Sequence, residues 1–135
     1  MIMSKPVEVG ALKIGGHLLI NGEPCRIVEF EKSKPGKHGS AKARIVGIGV
    51  FDSVKRNIVS PVDARVDVPL IEKKTGQIIS LSGDQVQLMD LESFEVFYAP
   101  SPKDENVRGK LASGYEVEYW KVMDRIMIMR VKGAA

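Results

Sequence analysis

Residues 31–44 read EKSKPGKHGSAKAR, and from Lys32 onward the stretch carries Lys32, Lys34, Lys37, Lys42 and Arg44 with no acidic side chain among them. Pro35, Gly36 and Gly39 punctuate its centre, so Lys37 and His38 stand between two glycines. Amines and guanidinium groups on a polar loop could cradle a nucleotide phosphate, clamp a nucleic-acid backbone, or display positive charge to a polyanion. The first chemistry fails on spacing. Glu31 occupies the position of the first glycine of a P-loop, and His38 replaces the Ser or Thr that would hold magnesium. The second needs a GXXG turn between two helices, whereas Gly36-Lys37-His38-Gly39 is flanked by strand-forming residues. Catalytic groups are scarce elsewhere. His38 could titrate near neutrality, but a supporting role at the loop tip fits it better than acid–base work. Cys25 is the only cysteine and has no His beside it in sequence, so it reads as a small buried hydrophobe. His17 reads as a strand residue with a satisfied ring. No metal-ligand set is legible, and an enzyme is disfavoured.

The composition supports cationic display. Over 135 residues, 44% are apolar and 27% charged, which places the chain among folded globular proteins. No apolar run approaches the roughly 18 residues of a membrane helix. The N-terminal stretch has no apolar signal-peptide core, and a lone cysteine suits a reducing compartment, so a cytoplasmic location is expected. The net charge of +3 is unevenly placed. Through Leu70 there are eleven Lys or Arg against seven Asp or Glu, and from Ile71 onward nine against ten. The basic excess belongs to the half that carries the loop, which points to a polyanionic partner such as RNA.

The elements that must hold this loop are strands. Residues 17–20 end at Asn21-Gly22, a strong hairpin signal, and the return strand is expected over residues 24–31. Within it Cys25, Ile27 and Glu29 should share one face and Arg26, Val28 and Phe30 the other. Residues 42–51 follow as a central strand, where Gly47 and Gly49 predict a bend or bulge. Residues 7–14, broken by Gly10, read as an irregular first strand; 56–60 and 64–70 add two more. Such short strands predict a small closed barrel. Beyond Pro69 the rhythm restarts, with turns at Thr75-Gly76 and Ser82-Gly83-Asp84 and strands over 85–90 and 94–99. Ser101-Pro102 predicts a helix start, Val107 and Leu111 share a helical face, and Gly114 should close the helix. Strands over 115–123 and 125–131 complete a five-stranded oligonucleotide-binding (OB) barrel, with Met123, Met127 and Met129 filling its core.

One resemblance sharpens all of this. SKPGKHGSAK, with NGEPCRIV before it and RIVGIGVF after it, closely resembles the translation initiation factor 5A family in its archaeal-type branch, and more distantly bacterial elongation factor P. The resemblance implies an all-β chain of two small barrels. Residues 1–69 would form an SH3-like barrel bearing the loop, and 70–135 an OB fold with one short helix. It implies that deoxyhypusine synthase transfers an aminobutyl group from spermidine to Lys37, giving deoxyhypusine or hypusine. Lys34, Gly36, His38 and Gly39 stand at the family's loop signature. With Lys42 and Arg44 they are expected to contact tRNA or rRNA. Pro35 and Ser40 depart from the Thr and His common in eukaryotic members, which bears on the hydroxylation step. Partners that read the long charged N-terminal extension of some eukaryotic members are not expected.

The function so implied is that of a ribosome-binding translation factor without enzymatic turnover, cofactor, metal or membrane attachment, acting as a monomer. Modified Lys37 would order the acceptor end of peptidyl-tRNA, promote peptide bond formation and relieve stalling, as at proline runs. Glycines at 36 and 39 suit a tight tip, and the loop reaches at most about 13 Å beyond a barrel. The alternative is a general RNA-binding module acting through the basic loop and the second barrel. That reading predicts salt-sensitive binding that survives Lys37→Ala. Tyr98, Tyr115, Tyr119 and Trp120 could stack bases there, although at least two are expected in the core.

Overall fold

Short apolar runs punctuated by Gly, Asn and Pro favour paired strands over helices. The computed structural model, which describes residues 3–33 and 41–134, contains eleven strands and one four-residue helix among those residues. The chain divides into two compact units, Met1–Leu70 and Ile71–Ala135. Among the described residues no helix is long and apolar enough to cross a membrane.

In the first unit β1 (Ser4–Glu8) leads into a 3-10 turn (Val9–Ala11), followed by β2 (His17–Ile20), β3 (Glu23–Lys32), β4 (Lys42–Gly49), β5 (Lys55–Pro61) and β6 (Arg65–Pro69). An antiparallel sheet in the order β2-β3-β4-β5 is completed by a β1-β6 ribbon, an SH3-like barrel. Asn21 and Gly22 join β2 to β3 with φ of 52° and 80°, the doubly positive geometry of a type I′ hairpin. Leu18, Ile20, Ile27 and Ile45 fill the core, with Val9 of the 3-10 turn. The first strand therefore starts earlier than the expected 7–14 and stops at Glu8, because the next residues turn inward to bury Val9.

The expected bulge lies on the other strand. It interrupts β3 between Ile27 and Glu29, opposite Gly47 and Val46 of β4. One extra residue, Val28, inverts the side-chain parity. Cys25 and Ile27 face the core before it; after it Phe30 packs inward and Glu29 is exposed, against the predicted alternation. Gly47 serves close approach, since a Cβ there would lie 2.8 Å from Cys25 Cβ. At Gly49 a Cβ would overlap the Asp52 carboxylate, which pairs with the Arg56 guanidinium through bonds of 3.1 and 2.8 Å.

The second unit comprises β7 (Ile71–Ser82), β8 (Gln85–Asp90), β9 (Val96–Pro100), α1 (Glu105–Arg108), β10 (Tyr115–Val122) and β11 (Arg125–Ala134). Its sheet order is β11-β10-β7-β8-β9; β9 and β11 also touch, and the helix precedes the fourth strand, giving an OB fold. Four local expectations are corrected. Thr75-Gly76 is not a turn but the middle of β7. Glycine is there because a Cβ would press to 3.2 Å from both the Tyr119 ring and the Met89 carbonyl. β9 starts at Val96 because Phe94 adopts a φ of 63°, outside strand geometry. The helix is capped by Asp104, whose carboxylate accepts the Asn106 N–H at 2.9 Å, and it ends at Gly109; Gly114 instead turns the chain into β10 at a φ of 88°. Finally, Ile78, Leu88, Val117, Tyr119 and Ile128 form the core, whereas Met123 sits in the β10–β11 turn with a φ of 50°. Met127 and Met129 are half-buried and lie outside that cluster.

Candidate functional site

The basic loop emerges from the β3–β4 hairpin, whose pairing runs to Glu31 opposite Arg44 and Lys32 opposite Ala43. Lys34, Gly36, Lys37, His38 and Gly39 lie outside the described residues; Lys42 and Arg44 lie on β4 at the base of the loop. The structure therefore defines the mount. Ser33 closes the hairpin: its N–H donates to the Lys42 carbonyl at 2.8 Å, and its hydroxyl donates to the same carbonyl at 3.1 Å. The Lys42 N–H donates back to that hydroxyl at 3.3 Å. A single small side chain thus engages both backbone groups of its cross-strand partner.

The cations at this end are not equivalent. Lys32 turns back along the barrel: its ammonium donates to the Gly10 carbonyl at 3.3 Å and stands 5.7 Å from the Phe30 ring centre. Arg44 pairs diagonally across the β3–β4 ladder with Glu29, on the loop side of the bulge, at 3.4 Å, both side chains about half exposed at 48% and 51%. The acid-free stretch read from the sequence is therefore partly neutralised from the preceding strand. At such exposure the pair is worth under about 1 kcal/mol and leaves Arg44 able to meet a phosphate. Lys42 is exposed beside them. Shallow grooves flank the stem, one of about 490 Å³ lined by Glu8, Gly10, Ala11, Lys32, Ala41, Val62 and Asp63. The other, of about 340 Å³, lies between Glu31, Ser33, Lys42, Arg44 and the exposed Val59.

Two stem contributors escape a sequence reading. Glu29 was assigned to the inward face, and Gly10 lies 22 positions before Lys32 with no spacing to connect them. Ser33 carried only the generic signal of a polar residue at a hairpin end.

Elsewhere the titratable groups serve structure. Burial pushes the Cys25 thiol up from its ordinary value, and it donates to the Glu23 carbonyl at 3.4 Å, an arrangement unsuited to a thiolate nucleophile. The Arg56 hydrogen bonds, helped by the Val54 N–H, hold Asp52 down to about 2. Among the described residues no group of three His, Cys, Asp or Glu is placed to hold a metal ion. Tyr119 and Tyr115 belong to the second core, while Tyr98 is 57% exposed on β9.

Comparison with known proteins matches this architecture along nearly its whole length. Residues 3–64 match the family model described as translation initiation factor 5A-like, N-terminal. Residues 70–132 match that of eukaryotic elongation factor 5A hypusine, DNA-binding OB fold. The chain is 57% identical over 129 residues to translation initiation factor 5A of Thermofilum pendens, spanning 96% of this chain and 98% of the relative. Among solved structures, eukaryotic translation initiation factor 5A from Methanococcus jannaschii superposes with a TM-score of 0.88 at 45% identity, covering 97% of this chain and 98% of the other. A family protein from Naegleria fowleri gives 0.82 at 31%, covering 97% and 99%.

Proposed function

Because this chain belongs to the translation initiation factor 5A family, we propose that it acts on the ribosome through an aminobutyl-extended Lys37 that orders the acceptor end of peptidyl-tRNA. The observation that carries the reading is the PGKHG signature on a β3–β4 hairpin, in a chain similar to the family from end to end. Deoxyhypusine synthase would supply the extension. The Lys37 Nζ forms a new C–N bond to the four-carbon arm of spermidine, the old C–N bond breaks, and the three-carbon diamine leaves with the proton. The product keeps the charge of the lysine and adds a second amine farther out, one more donor for phosphates and ribose hydroxyls.

On the ribosome the factor contributes orientation and no covalent step. Holding the acceptor end in a reactive geometry lowers the entropic cost of peptide transfer, and the gain is largest where the nascent chain reacts slowly, as at proline runs. Exposed Lys42 and Arg44 at the stem add phosphate contacts that seat the hairpin. Two measurements test this. Intact-mass analysis of the Lys37 peptide from the native host should show the added aminobutyl mass, with or without one oxygen. Peptide synthesis on proline-stalled ribosomes should drop to the factor-free rate with Lys37→Arg. An unmodified lysine together with a fully active Lys37→Arg would overturn the reading.

One observation favours a second reading, RNA binding by the OB fold itself. Across β7, β8 and β9 the register aligns Ser80, Gln87 and exposed Tyr98 in a row, where the Ser80 hydroxyl bonds the Gln87 amide oxygen at 3.0 Å. The adjacent rows, Gln77-Met89-Val96 and Ser82-Gln85-Pro100, are also free of charge. A tyrosine beside an oriented amide suits stacking and edge contact with an unpaired base. Oligonucleotide affinity that falls with Tyr98→Ala and ignores Lys37→Ala would favour it.

A further inference from the structure

We propose that Ser33, Gly10 and Val62 are positioning residues that fix both ends of the Lys37 segment in register with the barrel. This rests on the function proposed for Lys37. A closed circuit of hydrogen bonds runs around the base of the loop. On the entry side the Lys32 ammonium donates to the Gly10 carbonyl at 3.3 Å. Gly10 in turn donates its N–H to the Val62 carbonyl at 2.9 Å, and the Val62 N–H donates to the Ala41 carbonyl at 2.9 Å on the exit side. The circuit closes through Lys42 and Ser33, whose hydroxyl bridges both backbone groups of Lys42.

Its parts come from three separated places in the chain: the 3-10 turn, the start of the β5–β6 connection, and the two ends of the hairpin. A hairpin of these strands would pair without the first two, so they add something beyond pairing. They tie the last residue of β3 to the 3-10 turn outside the four-stranded sheet, and the residue before β4 to Val62 by one further rung of the β4–β5 ladder. Gly10 is chosen for this approach: a Cβ there would sit 3.2 Å from the Val62 carbonyl oxygen and 3.5 Å from its Cβ. The backbone of Gly10 has no need of positive φ, so the absence of a side chain answers to Val62 alone. Without such a collar the stem could rock about the end of the β3–β4 ladder. Displacements of about 1 Å at a reacting group cost on the order of 100-fold in rate.

The consequence is a separation between docking and placement. The modifying enzyme and the ribosome would still bind a loosened variant through its surface, but Lys37 would spend less time at the reacting position. Ser33→Ala removes the hydroxyl and keeps the Ser33 N–H to Lys42 carbonyl bond. Gly10→Ala pushes Val62 away. Steady-state aminobutyl transfer by deoxyhypusine synthase should show kcat lowered by about tenfold for each, with KM within about twofold of the parent. Ser33→Thr, which retains the hydroxyl, should restore kcat. After forced full modification, checked by mass, Ser33→Ala should reach half-saturation on proline-stalled ribosomes at the parent concentration but with a lower maximal rate. Thermal melting of Ser33→Ala within a few degrees of the parent separates placement from unfolding.

Parent kcat in both variants, or a rise in KM alone, overturns the collar. Either result leaves the functional reading standing if Lys37→Arg is inactive on the same ribosomes. A fully active Lys37→Arg sinks that reading instead, whatever the collar variants do.

Discussion

Asp90 is the buried charged side chain of the second unit, 3% exposed at the end of β8. It accepts the N–H groups of Glu92 and Ser93, each at 2.8 Å, and the hydroxyl of buried Tyr119. Burial by itself would raise its pKa, but the Tyr119 hydroxyl and the two amides outweigh burial and hold it down to about 2 from an ordinary 3.8. Burial, then Asp90, pushes Tyr119 up, so its hydroxyl stays protonated as a donor. A depressed folded-state pKa means stability that is fully present above about pH 4 and lost as pH falls toward 2. The melting temperature should therefore drop across that window, and Asp90→Asn should flatten the drop; an unchanged profile would assign acid sensitivity elsewhere, Asp52 being the next group. Tyr119→Phe removes one donor from a buried carboxylate and should cost about 1–3 kcal/mol in denaturant unfolding. Gly76→Ala should cost a similar amount, about 1–3 kcal/mol, by driving a methyl into the Tyr119 ring and the Met89 carbonyl. The sequence showed Gly76 as a turn signal, because a glycine spared for a neighbour's ring and one spared for φ look the same in one dimension.

The β3–β4 hairpin shows how a single residue sets an element's outcome. Val28 is the extra residue of the bulge, and past it the faces of β3 exchange. Deleting Val28 should restore strict alternation with Phe30 still inward, Glu29 still outward and the Ile27–Gly47 and Glu29–Val46 pairs kept, so the variant should still melt cooperatively; loss of a cooperative melt would mean that the barrel needs the bend the bulge supplies. Strand positions were legible because Asn21-Gly22, Gly83-Asp84 and the alternating runs are local signals. The bulge was misplaced onto Gly47 and Gly49 because parity is a property of the pair of strands. For α1 the true cap, Asp104, lies three residues beyond the start expected at Ser101. One exposed turn gains little from its cap, so Asp104→Ala should cost about 0.5–1 kcal/mol by the same unfolding measurement.

At the scale of the molecule, two units carry separate cores and unequal charge, eleven cations against seven acids through Leu70 and nine against ten beyond. RNA binding by the full chain should weaken with salt at a log–log slope of about −3 if roughly four phosphates are neutralised on a single strand. Lys42→Glu and Arg44→Glu should each lower that slope by about one, and Lys110→Glu in the second unit should leave it unchanged. Slopes indifferent to the stem charges would move the polyanion contact off the hairpin. The chain by itself determined the strand-rich class, the two-barrel plan and the lysine between two glycines, since alternation, turn chemistry and a contiguous motif are written in neighbouring residues. Tertiary structure alone decided that Lys32 reaches Gly10, that Glu29 faces Arg44, and that Gly10, Val62, Ala41 and Ser33 meet around one base. Those partners are up to 52 positions apart in sequence, from Gly10 to Val62. Only closure of the barrel brings them within hydrogen-bond distance, and no local pattern encodes that closure.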